Sequence, residues 1–362
     1  MNIAINIPLV GKEEIDAVTN ILKKGALTSS SNQGGKHVQE FEKSASSFVK
    51  SKYAIAVNSG TAALQAALYA LDIKKGDEVL VPSFTFVATA NAVVSTGAKP
   101  VFVDILKENY TIDPDDIQKK ITKKTRAIIP VHLYGNVANI ERLSEISKKN
   151  NIPIIEDSAQ SLGSTYKRKH TGTFFEMGCY SMYPAKVMTA GEGGFIVTNN
   201  KKLRDKLLMI RNHGMVHGYD TKVFGLNLRL PEINAAIATV QMKKLPGFLK
   251  SRKNNAQLLS KLISDLKIQL PQQRKNENTN WYLYTITTKK RDLLLKKLNQ
   301  KGIGAASYYP TPVHKTPFYK LKTKLPVTDW AAKNVLSLPI HPNVTKKNIE
   351  FIAKTMHEIL SK

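Results

Sequence analysis

The segment CYSMYPAKVMTAGEGGFIVT, residues 179–198, contains two short apolar runs joined by a loop of small and hydroxyl-bearing residues. The runs at 179–183 and 194–198 are typical of strands that are buried on both faces of a sheet. The loop between them carries Lys186, whose neighbours are apolar, small or hydroxylic. A lysine in such surroundings can lose its proton and attack an aldehyde.

The chain before this segment alternates short β-rich runs with helical patterns. Alternation of this kind predicts an α/β fold with a mostly parallel sheet covered by helices. The predicted strands lie at residues 53–58, 78–82, 100–104, 127–133, 153–157, 179–183 and 194–198. The predicted helices between them lie at residues 62–70, 88–95, 113–120 and 140–149.

The pattern changes after Lys244. The tripeptide LPG at residues 245–247 indicates a break inside or after a long helix. Residues 281–287 are then β-rich, and residues 346–360 are typical of a closing amphipathic helix. We therefore expect a large domain at residues 1–245 and a smaller C-terminal α/β domain at residues 246–362. The N-terminal helix could pack on either domain.

Composition limits the class of protein. The 362 residues include 54 Lys plus Arg against 28 Asp plus Glu, a formal charge of +26, which favours anionic ligands such as nucleotides. The basic residues are spread along the chain without a nucleic-acid-binding motif, as on a solvated surface. One cysteine, Cys179, excludes an intramolecular disulfide and a cysteine-rich zinc site. No apolar stretch is long enough to span a bilayer and no secretory signal is found, so we expect a cytoplasmic location.

Two further strand ends carry polar groups. At residues 57–62, VNSGTA, a strand end, a glycine turn and a helix start present backbone N–H groups and hydroxyls that can bind an anion. At residues 154–157, IIED, an apolar strand ends in Asp157, at the sheet edge where open α/β folds bind ligands. Ordinary helix capping is the alternative explanation for both segments.

Together, the three strand ends offer a phosphate-binding turn, a carboxylate and an amine. Pyridoxal 5′-phosphate needs these partners, because its phosphate accepts hydrogen bonds, its ring nitrogen pairs with an acid and its aldehyde condenses with a lysine. The sequence therefore predicts a pyridoxal-phosphate site in which Lys186 holds the cofactor and Asp157 faces the ring nitrogen.

At these segments the sequence resembles the DegT/DnrJ/StrS family of sugar aminotransferases, within the fold type I pyridoxal-phosphate enzymes. The resemblance extends nearly from end to end, and it implies a large domain with a mostly parallel seven-stranded sheet. Departures at residues 173–176, TFFE, and at Met182 remove no cofactor contact. The motifs that carry the resemblance are NSGTA at 58–62, PSFTFVAT at 82–89, VHLYG at 131–135, EDSAQ at 156–160, Lys186 and GEGG at 191–194.

The resemblance implies a role for each matched residue. Lys186 resembles the Schiff-base lysine, which also moves the proton, and Asp157 resembles the partner of the pyridine nitrogen. Gln160 resembles the residue beside the ring hydroxyl. Phe86 occupies the position that stacks on the ring, although a role in the core would explain Phe86 equally well from its sequence alone. The phosphate cradle is matched by Gly60, Thr61 and Ser181.

Other implied residues lie at the edges of the site. Asn227 matches the asparagine that reaches the phosphate of the neighbouring subunit, which implies a homodimer with shared active sites. Thr28, Tyr183 and His314 are expected near the substrate. A turn residue is the alternative for Asn227, and a surface-loop histidine is the alternative for His314.

Lys186 stands where the family's dehydratase branch has histidine, so the resemblance favours transamination. The expected reaction moves an amino group from an amino acid, glutamate by family analogy, to a nucleotide-linked keto sugar. A 4-keto-6-deoxy hexose is the commonest family acceptor, and pyridoxamine phosphate is the implied intermediate form of the cofactor. A dehydratase or an aromatic-amine synthase on the same scaffold is the alternative, and a basic nucleic-acid-binding protein is a distant one. No metal, nucleic-acid or membrane partner is expected.

Overall fold

The computed structural model describes residues 2–361 and places seven strands in a central sheet. Two more strands of this part of the chain, β6 and β7, form a hairpin that is not hydrogen-bonded into the central sheet. The strands of this part of the chain are β1 (Tyr53–Val57), β2 (Glu78–Pro82), β3 (Lys99–Val103), β4 (Thr125–Ile128), β5 (Ile155–Asp157), β6 (Thr165–Tyr166), β7 (Lys169–His170), β8 (Met177–Ser181) and β9 (Gly194–Thr198).

The seven strands are ordered β1-β9-β8-β5 and β4-β2-β3. Two parallel bridges, Ile128 with Ile154 and Val131 with Asp157, join the two groups between β4 and β5. Only β9 runs against its neighbours in the central sheet, because it pairs antiparallel with both β1 and β8. The predicted mostly parallel seven-stranded sheet is therefore confirmed, and β1, β5 and β8 all end at the same edge.

Helices cover both faces of the sheet. The segment GTAALQAALYA forms a helix that is buried on nearly all sides, since its alanines and leucines let it pack closely between the sheet and its neighbours. Ser59 caps this helix by accepting a hydrogen bond from the backbone N–H of Ala62. The first seven helices are α1 (Lys12–Lys24), α2 (Lys36–Val49), α3 (Gly60–Ala70), α4 (Ala88–Ser95), α5 (Pro114–Lys120), α6 (Ile140–Asn150) and α7 (Lys201–Arg211).

A long helix, α8 (Glu232–Leu262), runs without interruption through Pro246. Proline removes one backbone hydrogen bond and usually bends or ends a helix. Here residues on both sides of it are buried, Leu245 before it and Ala256 after it, so packing stabilises the helix on either side of the proline. The predicted break is wrong, and the expected domain boundary at 245/246 falls inside this helix. The position of that boundary stays a prediction.

The rest of the chain surrounds a second apolar core, which contains Ile286, Leu336, Ile352 and Met356 and also takes in Ile3. Residues 2–11 thus reach the C-terminal region before α1 begins. The remaining elements are β10 (Glu277–Asn278), β11 (Tyr284–Thr287), α9 (Arg291–Gln300), α10 (Pro326–Asn334), β12 (Val335–Leu338) and α11 (Lys346–Leu360).

Helix α1 packs against α8. Lys244 of α8 forms ion pairs with Glu13 at 2.9 Å and with Glu14 at 2.8 Å. Gln241 donates a hydrogen bond to Glu14 as well. The partner of the N-terminal helix is therefore the first half of α8, on the side that precedes Pro246.

Candidate active site

A cavity of about 460 Å³ opens at the edge where β1, β5 and β8 end. Parallel strands bring their carboxyl ends to one edge, so residues that are far apart in sequence meet there. Eight sequence-predicted site residues line it: Gly60, Thr61, Phe86, Asp157, Gln160, Ser181, Tyr183 and Lys186.

Lys186 extends into this cavity from the loop between β8 and β9. Its backbone N–H donates to the carbonyl oxygen of Tyr183 at 2.9 Å, which closes a turn. Its Nζ atom lies 5.0 Å from the centre of the Tyr282 ring. Burial lowers the pKa of the Lys186 amine to about 8, while the nearby Asp157 opposes this shift. About a tenth of the amine is therefore uncharged and nucleophilic at pH 7, a far larger share than for an ordinary lysine.

Asp157 is the last residue of β5 and is buried beside the cavity. The Thr89 hydroxyl donates to Oδ2 at 2.8 Å, and the backbone N–H of Ala159 donates to Oδ1 at 3.2 Å. Burial raises the pKa of the carboxyl, and these hydrogen bonds and Lys186 act in the opposite direction. The side chain is thus held rigidly in a position where it can share a proton with a basic ring nitrogen.

The turn from β1 to α3 approaches β8 very closely. A Cβ atom on Gly60 would lie 2.7 Å from Cβ of Ser181, which is closer than real Cβ contacts allow. Glycine is therefore required here for space. The first N–H groups of a helix have no partner within the helix, and those of α3 lie next to the hydroxyls of Thr61 and Ser181 at the cavity. This arrangement suits a phosphate group.

Aromatic side chains form the other walls. The exposed fraction of Phe86 is 55%, and its ring centre lies 6.2 Å from that of Tyr309. Phe86 therefore faces the cavity and not a core. Gln160 accepts a hydrogen bond from the backbone N–H of Tyr134 at 2.9 Å and donates to the Tyr309 hydroxyl at 3.1 Å, so its amide is fixed.

Three sequence-predicted residues do not line this cavity. Thr28 and Asn227 are exposed elsewhere on the chain, and the carbonyl oxygen of Asn227 accepts a hydrogen bond from Asn58 at 3.2 Å. His314 is fully buried, and its Nδ1 atom lies 2.6 Å from the Ser83 hydroxyl. His314 is therefore neither beside the cavity nor on a surface loop, because the turn that carries it packs into the interior.

Several lining residues were missed at the sequence level. Thr89 belongs to the PSFTFVAT motif but received no role, although Thr85 and Thr89 lie on one face at helical spacing. Tyr282 lies in the predicted β-rich run at residues 281–287, whereas β11 begins only at Tyr284. The missed residues that line the cavity include Thr85, Thr89, Glu192, Tyr282, Tyr308 and Tyr309, whereas Ser59 belongs to the predicted anion-binding turn.

With this geometry established, comparison with known proteins identifies the family. The profile of the DegT/DnrJ/EryC1/StrS aminotransferase family matches residues 8–357. The chain belongs to this family. The resemblance seen in the sequence is confirmed, and the protein is an aminotransferase.

Curated relatives cover most of the chain. It is 36% identical to the pleiotropic regulatory protein of Geobacillus stearothermophilus, over 90% of this chain and 89% of the relative. It is also 36% identical to dTDP-3-amino-3,4,6-trideoxy-α-D-glucose transaminase of Streptomyces venezuelae, over 92% and 90%. A third relative, GDP-perosamine synthase of Escherichia coli O157:H7, is 36% identical over 98% and 97%.

Solved structures of the same family share the fold. The crystal structure of DesV from S. venezuelae superposes with a TM-score of 0.93 at 34% identity, over 97% of this chain and 95% of DesV. The pyridoxal-phosphate form of the putative sugar aminotransferase Spr1654 from Streptococcus pneumoniae has a TM-score of 0.92 at 26% identity, over 100% and 99%. These likenesses confirm the α/β fold of the family.

Within residues 2–361, no group of three or more histidine, cysteine, aspartate or glutamate side chains is arranged to hold a metal ion. Over the same residues, no helix has the length and apolar character needed to cross a bilayer.

Proposed function

We propose that this aminotransferase uses pyridoxal 5′-phosphate, held at Lys186, to move an amino group from an amino acid onto a keto sugar carried by a nucleotide. The observation that carries the proposal is the meeting of three groups in one cavity: the α3 turn, the Asp157 carboxylate and the Lys186 amine. Each of these groups lies at, or just after, the end of a different strand: β1, β5 or β8. When bound, the cofactor supplies an aldehyde that takes up an amino group and a ring that withdraws electrons from the adjacent carbon.

The residues of the chain fit this cofactor. Glycine at position 60 lets the α3 turn lie close to Ser181, so the first N–H groups of α3 and the hydroxyls of Thr61 and Ser181 are available together to a phosphate. Asp157 is buried and oriented by Thr89, so it can keep a ring nitrogen protonated. Lys186 can take up and release a proton at Nζ, since its pKa of about 8 lies close to working pH. Proton transfer is the role that we assign to Lys186 during turnover.

A sugar substrate is supported by the aromatic walls. Binding cavities for small molecules are lined mainly by apolar and aromatic groups with a few placed polar ones, and this cavity has the rings of Phe86, Tyr183, Tyr282 and Tyr309. Such rings can cover the C–H faces of a hexose. The net charge of +26 also favours the approach of a nucleotide diphosphate.

The identity of the sugar is a finer proposal. The name of the Streptomyces relative specifies an amino group on carbon 3 of a sugar that lacks oxygen at carbon 6. This supports a 6-deoxy hexose for the present chain and leaves carbon 4 supported only by the family analogy. Glutamate as donor, the homodimer, the active sites shared through Asn227, and the cytoplasmic location also stay predictions.

The decisive experiment incubates the purified protein with pyridoxal phosphate, glutamate and a panel of nucleotide-linked keto sugars. Mass spectrometry of the products should find an amino sugar from at least one 6-deoxy member of the panel, together with 2-oxoglutarate. A dehydrated sugar in place of the amine would support the dehydratase alternative and overturn the proposal. Omitting glutamate provides the control, because pyridoxal phosphate carries no amino group to transfer and no amino sugar should then form.

A further inference from the structure

Three polar side chains of α8 face the segment that carries Lys186. Asn234, Gln241 and Arg252 are spaced by seven and eleven residues, so they lie on one side of a helix with 3.6 residues per turn. The first two form hydrogen bonds with the loop after the lysine. Asn234 donates to the carbonyl oxygen of Ala190 at 2.7 Å, and Gln241 accepts from the backbone N–H of Thr189 at 3.3 Å. The third acts through other residues.

Arg252 is a buried cation, with an exposed fraction of only 3%. Its Nη1 atom donates to the carbonyl oxygens of Trp281 at 3.3 Å and Tyr282 at 3.1 Å, and Nη2 donates to Oδ1 of Asn6 at 2.9 Å. All three acceptors are neutral. Burial lowers the pKa of the guanidinium to about 10. A buried charge without an ionic partner destabilises the folded chain. If position 252 only had to fill space, an apolar side chain there would give a more stable fold than arginine.

The first set of contacts fixes an aromatic wall. Trp281 has a φ of 53°, in the left-handed region that side-chain-bearing residues seldom adopt. The two hydrogen bonds from Arg252 hold the backbone at this point. The next side chain, Tyr282, is thereby directed into the cavity, where its ring lies against Nζ of Lys186.

The second set of contacts fixes the lysine segment itself. Asn6, which accepts from Arg252, donates through Nδ2 to the carbonyl oxygen of Pro184 at 3.1 Å. Pro184 lies two residues before Lys186. One guanidinium therefore connects the backbone that carries the amine with the ring that covers it.

We propose that Arg252 is a positioning residue for Lys186, which holds the Tyr282 ring and the lysine segment together through two backbone carbonyls and Asn6. The consequence is that water is kept away from the amine. Loss of either connection would let the ring and the segment separate and would hydrate Nζ. Since desolvation is the first cause of the lowered pKa of Lys186, that pKa would then rise towards its ordinary value.

The test measures the Lys186 amine without any turnover. The full-length chain, freed of bound small molecules, is labelled with a trace of acetic anhydride between about pH 6 and 11, and the Lys186 peptide is quantified by mass spectrometry. For Arg252→Gln we expect the labelling midpoint to rise by about one pH unit, so that about tenfold less amine is uncharged at pH 7. Labelling of exposed lysines in the same digest provides the internal reference.

Asn255 gives the matched control. It lies one turn further along α8 and donates to the carbonyl oxygens of Ile340, His341 and Val344, none of which belongs to the lysine segment or to the Tyr282 wall. Asn255→Ala should lower the unfolding temperature and leave the Lys186 midpoint unchanged. If Arg252→Gln also lowers only the unfolding temperature, Arg252 is a purely structural residue and the proposal is overturned.

A second variant applies if Arg252→Gln does not fold. Asn6→Ala cuts only the connection to Pro184 and keeps the bonds from Arg252 to residues 281–282. It should raise the Lys186 midpoint in the same direction by a smaller amount, and an unchanged midpoint overturns the proposal. The labelling uses neither substrate nor cofactor, so its failure would leave the proposed transamination untouched, and failure of the sugar assay would leave the positioning role of Arg252 untouched.

Discussion

The hydroxyl of Thr89 donates a 2.8 Å hydrogen bond to Oδ2 of Asp157 at the base of the cavity. Thr89 is buried on α4 and Asp157 ends β5, so a helix and a strand fix the carboxylate between them. The hydrogen bond favours the charged form of the carboxyl, and burial disfavours it. Among the groups that favour the charged form of Asp157, the Thr89 hydroxyl is the side chain that does so through a hydrogen bond.

Replacing Thr89 with valine removes this contact with little change of shape. The pKa of Asp157, already raised by burial, should rise further, because the charged form loses a donor. As the pH is lowered, the carboxylate would then become protonated at a higher pH than in the wild type. The midpoint of the acid limb of the kcat/KM profile should therefore rise by about one pH unit. Thr89→Ser keeps the hydroxyl and should keep the limb in place; equal profiles for both variants and the wild type would contradict the assignment.

The lowered pKa of Lys186 makes cofactor uptake depend on pH. Only the uncharged amine attacks an aldehyde, so the rate at which the cofactor-free chain binds pyridoxal phosphate should rise as pH increases through about 8 and then level off. Stopped-flow absorbance in the visible region measures this rate. A midpoint near 10.5, the ordinary value for a lysine, would show that the amine is hydrated in solution.

The Lys186→Arg variant tests the central role of this side chain. Arginine keeps the positive charge but neither loses its proton nor condenses with the aldehyde under these conditions. Transaminase activity should fall by about 10³-fold or more, and borohydride treatment with pyridoxal phosphate should add no mass to the peptide. Lys202→Arg, at an exposed position of α7, should keep both the activity and the adduct.

Two glycine-to-alanine substitutions should affect different properties. The one at Gly60 should weaken cofactor binding, and the one at Gly247 should stabilise the folded chain. At Gly60 the new Cβ would crowd Ser181, so the α3 turn must shift, and the affinity for pyridoxal phosphate should drop by about tenfold, or 1.4 kcal/mol. At Gly247, inside α8, nothing lies within 4 Å of the new Cβ. Gly247→Ala should raise the free energy of unfolding by about 0.5–1 kcal/mol. Cofactor titration and thermal unfolding of both variants separate the two outcomes, and a Gly60→Ala chain with normal affinity would remove the steric argument.

The core of the site was predictable from sequence because parallel strands end at a common edge. Asp157 and Ser181 close the neighbouring strands β5 and β8, and Gly60 begins the helix after β1, so strand prediction alone brought them together. The strand order itself was not readable from single segments. It depends on pairings such as Ile128 with Ile154, which join distant parts of the chain.

Residues placed by tertiary contacts were not predictable in this way. Tyr282 enters the cavity directly after Trp281, whose positive φ is a conformation that no local pattern favours for tryptophan. His314 follows a proline-rich, polar segment that is typical of a surface loop, yet its turn is held inside by the Ser83 hydroxyl and carbonyl. Pro246 failed to end α8 because buried contacts on both sides outweigh one missing hydrogen bond.

The predicted sharing of active sites can be tested by mixing two defective variants. Asn227 is exposed and lies outside the cavity of its own chain, as expected if it serves the site of a partner. Asn227→Asp would set a carboxylate against the phosphate and should reduce activity by about 10²-fold, since like charges repel strongly at a desolvated site. In a mixed dimer with Lys186→Arg, one site would combine the intact Lys186 of one chain with the intact Asn227 of the other.

After subunit exchange, about half of the dimers are mixed and each has one intact site, so activity should recover to about a quarter of the wild-type value. Mixing Lys186→Arg with Asp157→Asn is the matched control, because both residues lie in the cavity of one chain and no intact site can form. Sedimentation velocity must show dimers in both mixtures. If mixed dimers of the Asn227 and Lys186 variants form but activity does not recover, each active site belongs to one chain alone. If only monomers sediment, the predicted homodimer is wrong.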